Sequence, residues 1–355
     1  MSDLASLGVV ETLVNQEVLL HRGRPAHEYR DLVAGRAVAP LPWQMLTVTG
    51  PDRLSWLHAL TSQHLTALAP GVSAEALLLT AQGRITAALA LVDDGATTHI
   101  LLEASAADTV AEHLEKMRFA LRVDVARTDA RIVGFIGEQL PAGTADVIWH
   151  DPWPLAPGGT TYTLPGVEPP ALDLSVAAIS DVTWAELVQA DAIAGWWAWE
   201  ACRIESWRPS WSAEVDARAI PPELDWLRTA VHLNKGCYCG QETIARVVNL
   251  GRPPRRLTFL HLDGSADHLP ARGTPVQWRE KPVGTLTSAV RHPELGPVGL
   301  ALLKRSVPAD AALVVDGVAA SQEIIVNPEG VSAARPSQPV GQELRQARFL
   351  RHPPQ

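Results

Sequence analysis

The sequence predicts an α+β fold that ends in a small β-barrel or sandwich. Two observations support the α+β part: strands of alternating apolar and polar residues are joined by glycine turns, and amphipathic helices lie between them. A sheet covered by helices buries the apolar faces of both. Beyond Gly251, Arg252, Pro253 and Pro254, short strands separated by glycine and proline indicate the barrel.

The composition of the chain fits a globular protein with two or three domains, because 355 residues can bury a sizeable core. The formal net charge of −9 argues against direct binding of nucleic acid. Three cysteines do not make a disulfide framework, and no signal peptide or membrane span is evident. The sequence therefore predicts a cytoplasmic protein without a membrane partner.

Residues 1–43 are predicted to be an irregular lead-in, and residues 44–136 a first α+β domain. In this domain Asp52 can cap one helix, and Ser105 with Asp108 resembles a capping box for another. The predicted strands are 44–49, 75–81, 85–92, 97–102, 121–125 and 131–136.

Residues 137–251 are predicted to be a second α+β domain. Proline-rich turns and hairpins come first, and Thr183 with Glu186 then forms a capping box before a helical region that runs to about Ser206. Pro221 begins a helical turn that leads into a cysteine-containing loop. This domain carries most of the candidate chemistry.

Residues 252–330 are predicted to be the barrel, and residues 331–355 a mobile polar tail. The predicted barrel strands are 256–262, 283–290, 298–303 and 313–315.

The most informative stretch is residues 235–242, Lys-Gly-Cys-Tyr-Cys-Gly-Gln-Glu, which we call the cysteine loop. Its glycines give the backbone freedom before a predicted helix that starts at Gln241. A thiol beside Lys235 and just before a helix N-terminus lies in a positive field, which stabilises thiolate over thiol. Cys237 is therefore a candidate reactive or ligating group. The alternative is a small buried residue, as most free cysteines are.

The cysteine loop resembles the K-G-C-Y-x-G-Q-E signature of the YgfZ-type folate-binding proteins, relatives of the aminomethyltransferase (T-protein) of the glycine cleavage system. The resemblance covers about residues 40–330. Further segments that resemble the family, in the expected order, are residues 48–57, 81–85, 202–209 and 283–288. The resemblance implies a three-domain ring of the aminomethyltransferase folate-binding type around a central opening that holds tetrahydrofolate. It also implies a role in assembling or repairing iron–sulfur clusters in client enzymes.

The resemblance also implies roles for single residues. Cys237 would be the key thiol. Glu205 matches the glutamate that holds the pterin ring in aminomethyltransferases by charge-assisted hydrogen bonds; its alternative is a surface glutamate paired with Arg203 or Arg208. The residues that would bind the folate are Glu205, Arg203, Lys235, Tyr238, Gln241 and Arg246.

One departure from the family concerns the turn at Gly83. In the aminomethyltransferases paired aspartates follow this turn, and one of them does the chemistry. Ala87 and Ala88 stand at those positions here, so the acid–base and charge-stabilising groups are missing. Asp93 and Asp94 follow, but before a glycine they have the spacing of a solvated hairpin turn. Aminomethyl transfer is therefore not expected.

Three other patterns leave alternatives open. Cys237 and Cys239 fall short of the four ligands of a closed metal site, so no metal is predicted. Seven of the twelve tryptophans lie between residues 184 and 226, and one of them could form a ligand wall while the others pack in the core. A segment without acidic residues could hold the glutamate tail of a folate or an acidic partner, or could be a solvated edge. Its arginines are Arg246, Arg252, Arg255 and Arg256.

The sequence thus predicts a tetrahydrofolate-binding protein that supports iron–sulfur enzymes. One alternative is a folate-dependent aminomethyltransferase or demethylase, which carboxylates near the folate would favour. The other is a thiol redox protein that uses Cys237 and Cys239.

Overall fold

The computed structural model of the chain describes residues 3–13, 16–153, 155–164, 166–170, 172–330 and 334. Residues 3–13 and 16–43 are not an irregular lead-in, so that prediction is wrong for the part of this segment that the structure describes. They form strands β1 (Val9–Leu13) and β2 (Gln16–His21) of an antiparallel hairpin, helix α1 (Pro25–Val33) and strand β3 (Ala39–Pro40). Proline suits the first turn of α1 because the N–H groups there have no helical partner.

The first sheet has five antiparallel strands with two helices. Its elements are β4 (Trp43–Thr49), α2 (Arg53–Leu60), β5 (Ser73–Leu79), β6 (Ile85–Asp93), β7 (Thr97–Glu103), α3 (Ala104–Met117) and β8 (Asp124–Thr128). The strand order is β5-β6-β7-β4-β8. Val110 and Leu114, one turn apart on α3, share a buried core with Leu46 of β4. The predicted layer of sheet and helix is confirmed here.

The strand β9 (Arg131–Ile136) belongs to a second sheet, not to the first as predicted. It pairs with β3 and with β11 (Leu174–Ile179), and β10 (Val147–His150) completes the order β10-β11-β9-β3. The first sheet ends at Thr128, so the boundary predicted at residue 136 lies too late. Alternation identifies a strand but not its partners, which is why the sequence could not place β9.

Two helices take the place of the helical region predicted from Thr183 to Ser206. They are α4 (Asp181–Gln189) and α5 (Trp196–Glu205), and Asp191 between them has a φ of 54°, a left-handed conformation that ends a helix. The chain continues through α6 (Trp211–Glu214), the expected turn at Pro221–Leu224 and α7 (Gln241–Leu250). Across the described ranges, no helix is long and apolar enough to span a bilayer.

The helix starts differ from both predicted capping boxes. Helix α3 already begins at Ala104, and α4 is capped by Ser180, whose hydroxyl accepts a hydrogen bond from the Thr183 backbone N–H at 3.2 Å. Asp52 precedes α2, but its carboxylate accepts from the Arg122 backbone N–H at 2.9 Å instead of capping the helix. Local spacing alone did not distinguish a capping residue from its neighbours.

The C-terminal unit is a closed barrel in the order β12-β15-β14-β13-β16-β17. Its strands are β12 (Arg255–Leu262), β13 (Pro275–Trp278), β14 (Lys281–His292), β15 (Gly296–Lys304), β16 (Leu313–Val315) and β17 (Val318–Ile324). Helix α7 ends at Leu250 and β12 begins at Arg255, so regular structure is interrupted at residues 251–254, where the boundary was predicted. Strands β13 and β17 were missed because proline and polar residues hide their alternation. Apart from residue 334, the predicted mobile tail lies outside the described residues.

The three units meet along and just after α5, which packs against α1, β2, β3 and the barrel strands β14 and β15. Arg203 of α5 donates a hydrogen bond to Ser288 Oγ of β14 at 2.7 Å. Arg208 forms ion pairs with Glu75 of the first sheet at 2.5 Å and with Asp151, next to β10, at 2.6 Å. Arg203 and Arg208 thus connect the two sheets and the barrel at the end of α5.

Candidate functional site

The cysteine loop packs directly on the turn between β5 and β6. Gly83 and Gly240 both have a positive φ, 72° and 83°. A Cβ atom on Gly240 would lie 2.7 Å from the Gly83 Cα atom and 2.7 Å from the Thr80 carbonyl oxygen. A Cβ atom on Gly83 would lie 2.8 Å from the Thr243 Cβ atom. Both glycines are therefore required by the close approach as well as by their backbone conformation.

Lys235 is buried, and its ammonium is occupied by backbone carbonyl oxygens. Its ammonium donates hydrogen bonds to the carbonyl oxygens of His58, Thr61 and Gln63, which follow or end helix α2. Burial lowers the pKa of Lys235 to about 8, although the three carbonyls favour the ammonium, which alone can donate all three bonds. The predicted role of this lysine in folate binding has no support in this geometry. It joins the cysteine loop to the first sheet.

The thiols of Cys237 and Cys239 are exposed, whereas Cys202 is buried within α5. Helix α7 begins at Gln241, so Cys237 lies outside the helix, ahead of the capping residue Gly240. In the part of the chain that the structure describes, no group of histidine, cysteine and acidic side chains is arranged to hold a metal ion. Cys237 is therefore accessible to a reagent or partner, and Cys202 is not.

Three histidines, of which only His232 is near the cysteine loop in sequence, lie beside Lys235. The ring centroids of His58 and His64 are 4.8 Å apart, and those of His64 and His232 are 5.3 Å apart. Burial, with the nearby Lys235 charge and the other rings, lowers the pKa of His58 and His232. His232 lies close to the cysteine loop in sequence, but His58 and His64 lie in the first domain, so no local pattern could reveal the group.

Glu205 ends α5 and joins it to α1 and the barrel. Its Oε2 accepts a hydrogen bond from the Tyr29 hydroxyl at 2.7 Å and lies 3.1 Å from His292 Nε2. These contacts with His292 and Tyr29 lower the pKa of Glu205. Its Oε1 has no hydrogen bond to any described residue, and the side chain is 21% exposed. The alternative of a pair with Arg203 or Arg208 is wrong.

Arg203 has no hydrogen-bond donor left for a ligand. It donates two bonds of 2.7 Å to Glu200, one of 3.2 Å to Glu214, and one of 2.7 Å each to the Arg208 carbonyl oxygen and the Ser288 hydroxyl. A guanidinium carries five N–H groups, so all are used. Arg203 therefore has no hydrogen bond to give a folate, although its side chain lies in the wall of the cavity where the two sheets and α5 meet. The residue joins α5 to α6 and the barrel.

Tryptophans surround a small cavity where the two sheets and α5 meet, which we call the inner cavity. It has a volume of about 60 Å³, and Ala88 of β6 lies in its wall. Its tryptophans are Trp43, Trp149, Trp199, Trp211 and Trp226. One tryptophan was predicted in a ligand wall, whereas these five come from three different parts of the chain.

The inner cavity also presents polar groups. Arg208 Nη1 and Trp211 Nε1 are buried and have no hydrogen-bond partner among the described residues. The carboxyl groups of Asp151 and Glu103 lie in the same wall, and burial raises the pKa of both. Buried donors without partners are rare in proteins and costly. Their presence favours a ligand that supplies hydrogen-bond acceptors.

A second pocket, the middle pocket, shares Glu103 and Ser210 with the inner cavity and has a volume of about 240 Å³. Trp196 and Glu200 of α5 and Ser288 of the barrel also line it. Together the two spaces extend from the centre of the molecule to the contact with the barrel. They form the candidate ligand site.

The remaining predicted folate-binding residues lie elsewhere. Tyr238 and Gln241 line a separate pocket of about 490 Å³ along α7. Arg246 is exposed and pairs with Glu242 one turn away, at 3.2 Å. None of these three lines the inner cavity or the middle pocket. The structure therefore separates the cysteine loop and Glu205 from the tryptophan-lined site.

The arginines that the sequence offered as a site for a folate tail already have partners within the protein. Arg252 pairs with Glu329 at 2.7 Å, and Arg255 pairs with Asp216 at 2.6 Å and with Glu223 at 2.7 Å. Arg256 is buried in the barrel and donates to the Thr258 hydroxyl and to the Gln322 side chain. This segment is not the free basic patch that its sequence suggested.

Asp93, expected in a solvated turn, is buried. Both of its oxygens are held by Arg53 at 2.8 Å, and Oδ2 also accepts from Thr98 at 2.5 Å. Asp94 accepts from the backbone N–H groups of Ala96 and Thr97 and so stabilises the turn. Neither aspartate lines the inner cavity, so neither replaces the missing pair at Ala87 and Ala88.

The fold defines the class of protein. It superposes on the crystal structure of glycine cleavage system aminomethyltransferase T from Bartonella henselae with a TM-score of 0.71, over 91% of this chain and 94% of that chain, at 16% sequence identity. Residues 255–328 match the family described as the CAF17 C-terminal β-barrel domain. The chain has the aminomethyltransferase fold with a closed C-terminal barrel, as predicted.

Sequence comparison indicates which proteins the chain resembles within this fold. The tRNA-modifying protein YgfZ of Yersinia pseudotuberculosis is 27% identical over 289 residues, which cover 77% of this chain and 86% of the relative. The tRNA-modifying protein YgfZ of Yersinia enterocolitica is 27% identical over 246 residues, covering 67% and 73%. The chain has the aminomethyltransferase fold and is similar in sequence to the YgfZ proteins, which confirms the resemblance seen in the cysteine loop.

Proposed function

We propose that the chain binds tetrahydrofolate in the inner cavity and middle pocket and supports iron–sulfur enzymes, with Cys237 as the key thiol. The observation that carries the folate part is the pair of unpartnered buried donors, Arg208 Nη1 and Trp211 Nε1, in a wall of five tryptophans. The relatives are named for tRNA modification, so clients that act on tRNA fit the proposal. The small number of cysteines in the chain fits the proposal that the protein is cytoplasmic.

The groups in the site complement a reduced pterin. The ring offers flat faces for the tryptophans, a carbonyl oxygen that can accept from Arg208 or Trp211, and an amino edge that can donate to a carboxylate such as Glu103. The inner cavity, at about 60 Å³, holds only a few water molecules. The ring would therefore extend into the middle pocket, with its inner edge at the two donors.

A second candidate function, folate-dependent demethylation or aminomethyl transfer, is favoured by one observation. Asp151 and Glu103 line the inner cavity, and burial raises the pKa of each, as in carboxyl groups that exchange protons in catalysis. Asp151 is however held by Arg208 at 2.6 Å, and Glu103 accepts from the Ser210 hydroxyl at 2.8 Å and the Ser212 backbone N–H at 3.1 Å. Transfer to folate at enzymatic rates would favour this candidate.

Trp211→Phe is expected to weaken tetrahydrofolate binding by roughly two- to tenfold, because the ligand loses one neutral hydrogen bond while the ring wall is kept. Calorimetric titration measures the affinity. Trp197→Phe is the matched control, since Trp197 is 42% exposed and lies in neither space. Equal affinities of the wild type and Trp211→Phe would contradict the proposed pose.

Glu205→Ala tests the site that the sequence suggested. If Glu205 grips the pterin, the variant should lose roughly ten- to a hundredfold in affinity, the value of a charged hydrogen bond. The structure instead predicts that Trp211→Phe has the larger effect, since Glu205 is held by Tyr29 and His292 and lines neither space.

The role of Cys237 is tested in cells. Its exposed side chain makes Cys237→Ala neutral for folding, and the proposal requires that the activity of iron–sulfur enzymes falls in cells that carry this variant. Cys239→Ala is the matched control in the same loop. Full activity with Cys237→Ala would remove the thiol from the proposed function.

A further inference from the structure

The end of helix α2 is bonded to the segment that precedes the cysteine loop. We call this contact, between residues 58–65 and residues 229–235, the seam. The Ser62 hydroxyl donates to the Ala230 carbonyl oxygen at 2.5 Å, and the His232 backbone N–H donates to the Ser62 carbonyl oxygen at 3.0 Å. The buried lysine of the cysteine loop adds its three hydrogen bonds to the same contact. The seam therefore holds the cysteine loop against the first sheet.

The group of three histidines lies within the seam. His58 is in the last turn of α2, His64 follows that helix, and His232 belongs to the opposite side. The ring of His64 contacts both of the others. A Cβ atom on Gly158 would lie 2.3 Å from His232 Cδ2, so residues 156–160 pack closely on this ring. All three rings are half-buried at the junction of three separate stretches of chain.

The hydrogen bonds of two of these rings favour the neutral imidazole. His58 Nδ1 accepts from the Leu65 backbone N–H at 3.2 Å, and His232 Nδ1 accepts from the Asn234 backbone N–H at 3.3 Å. A neutral ring that accepts at Nδ1 carries its proton on Nε2. A protonated ring has N–H groups at both nitrogens and cannot accept at either. Uptake of a proton therefore breaks each of these bonds and places two donors opposite one another.

The surroundings of the rings offer no negative charge to a protonated histidine. The seam and residues 156–160 contain no aspartate or glutamate, and Lys235 is their one permanent cation. Among the described residues, no carboxylate forms an ion pair with any of the three rings. Burial, followed by the charges of Lys235 and the neighbouring rings, lowers the pKa of His58 and His232. Lys235, with a pKa of about 8, stays charged at any pH below neutrality.

We propose that the three histidines form a pH-sensitive switch, which keeps the cysteine loop on the first sheet at neutral pH and releases it in mild acid. A histidine freed from the seam has an ordinary pKa of about 6.5. The released state therefore binds protons more readily than the attached state, and each proton bound favours release. The attachment is at full strength above about pH 6.5 and weakens as the pH falls below that value. This inference goes beyond the proposed function, because it requires no bound folate.

Backbone hydrogen exchange of the intact chain without folate, followed by mass spectrometry, measures release at about pH 7.5 and about pH 5.5. Each rate is divided by that of the unfolded chain at the same pH, which removes the intrinsic effect of pH on exchange. Peptides from the seam should exchange roughly tenfold faster at the lower pH on this scale, the equivalent of one lost hydrogen bond. Peptides from barrel strands β14 and β15 should keep their protection.

The double variant His58→Asn, His232→Asn should stay attached at both pH values, because an asparagine oxygen can accept in place of Nδ1 but does not titrate. His113→Asn is the matched control; His113 is an exposed residue of α3 outside the seam, and this variant should respond as the wild type does. Equal protection of the wild-type seam at both pH values would overturn the inference. An equal loss of protection in the barrel would do the same, as would a response that persists in the double variant or disappears in the control.

Discussion

Arg203→Met is expected to lower the free energy of unfolding by about 3–5 kcal/mol, the usual cost of leaving a buried charge without its partner. The substitution removes the guanidinium that Glu214 and Glu200 share, and the Glu214 side chain is completely buried. It also breaks the bond to Ser288 that connects α5 with the barrel. Methionine fills a similar volume, so the loss would reflect charge and hydrogen bonding more than packing.

Urea denaturation of the intact chain measures this loss. Arg122→Met is the matched control, because Arg122 pairs with Asp52 at 2.9 Å but its side chain is 75% exposed. An exposed pair of this kind contributes about 1 kcal/mol or less. If both variants unfolded at the same urea concentration as the wild type, Arg203 would not be the link between the units that its five hydrogen bonds suggest.

Lys235→Met is expected to cost about 3 kcal/mol of unfolding free energy, since three buried carbonyl oxygens lose a charged donor. Those carbonyls belong to His58, Thr61 and Gln63 at the end of α2. The variant should therefore loosen the attachment of the cysteine loop to the first sheet. Lys116→Met on α3 is the control, because its side chain is 75% exposed and should be nearly neutral.

The same variant separates two roles of the lysine. If its ammonium activated Cys237, alkylation of that thiol would slow by roughly tenfold in Lys235→Met. The structure predicts a much smaller change, because the ammonium is occupied by carbonyl oxygens. Alkylation under native conditions, with Cys202 and Cys239 replaced by serine, measures the rate. A tenfold loss in the folded variant would restore the role that the sequence suggested.

Elements that are marked by a few neighbouring residues were predicted well from the sequence. The strand at residues 131–136, the boundary at residues 251–254 and the helix after Gly240 all lie where alternation, proline and glycine placed them. The cysteine loop predicted a resemblance to the YgfZ proteins and the aminomethyltransferase fold, and the sequence and structural matches confirm both.

Charged residues were the main source of error, because a sequence shows a charge but not its partner. Arg203 and Lys235 were assigned to folate, yet each uses its donors within the protein. Asp93 was expected in solvent, yet it is buried against Arg53, forty positions earlier in the chain. The tryptophan wall and the group of three histidines likewise combine residues from separate domains. Such groups form only when the domains assemble, so no window of sequence contains them.

The contact between Gly83 and Gly240 makes the position of the thiols depend on the first sheet. The two backbones meet so closely that neither turn can shift without the other. A chimera that takes the β5–β6 turn from one relative and the cysteine loop from another would therefore place Cys237 correctly only if the two surfaces match. The β5–β6 turn and the cysteine loop are therefore one structural unit, although a whole domain of sequence separates them.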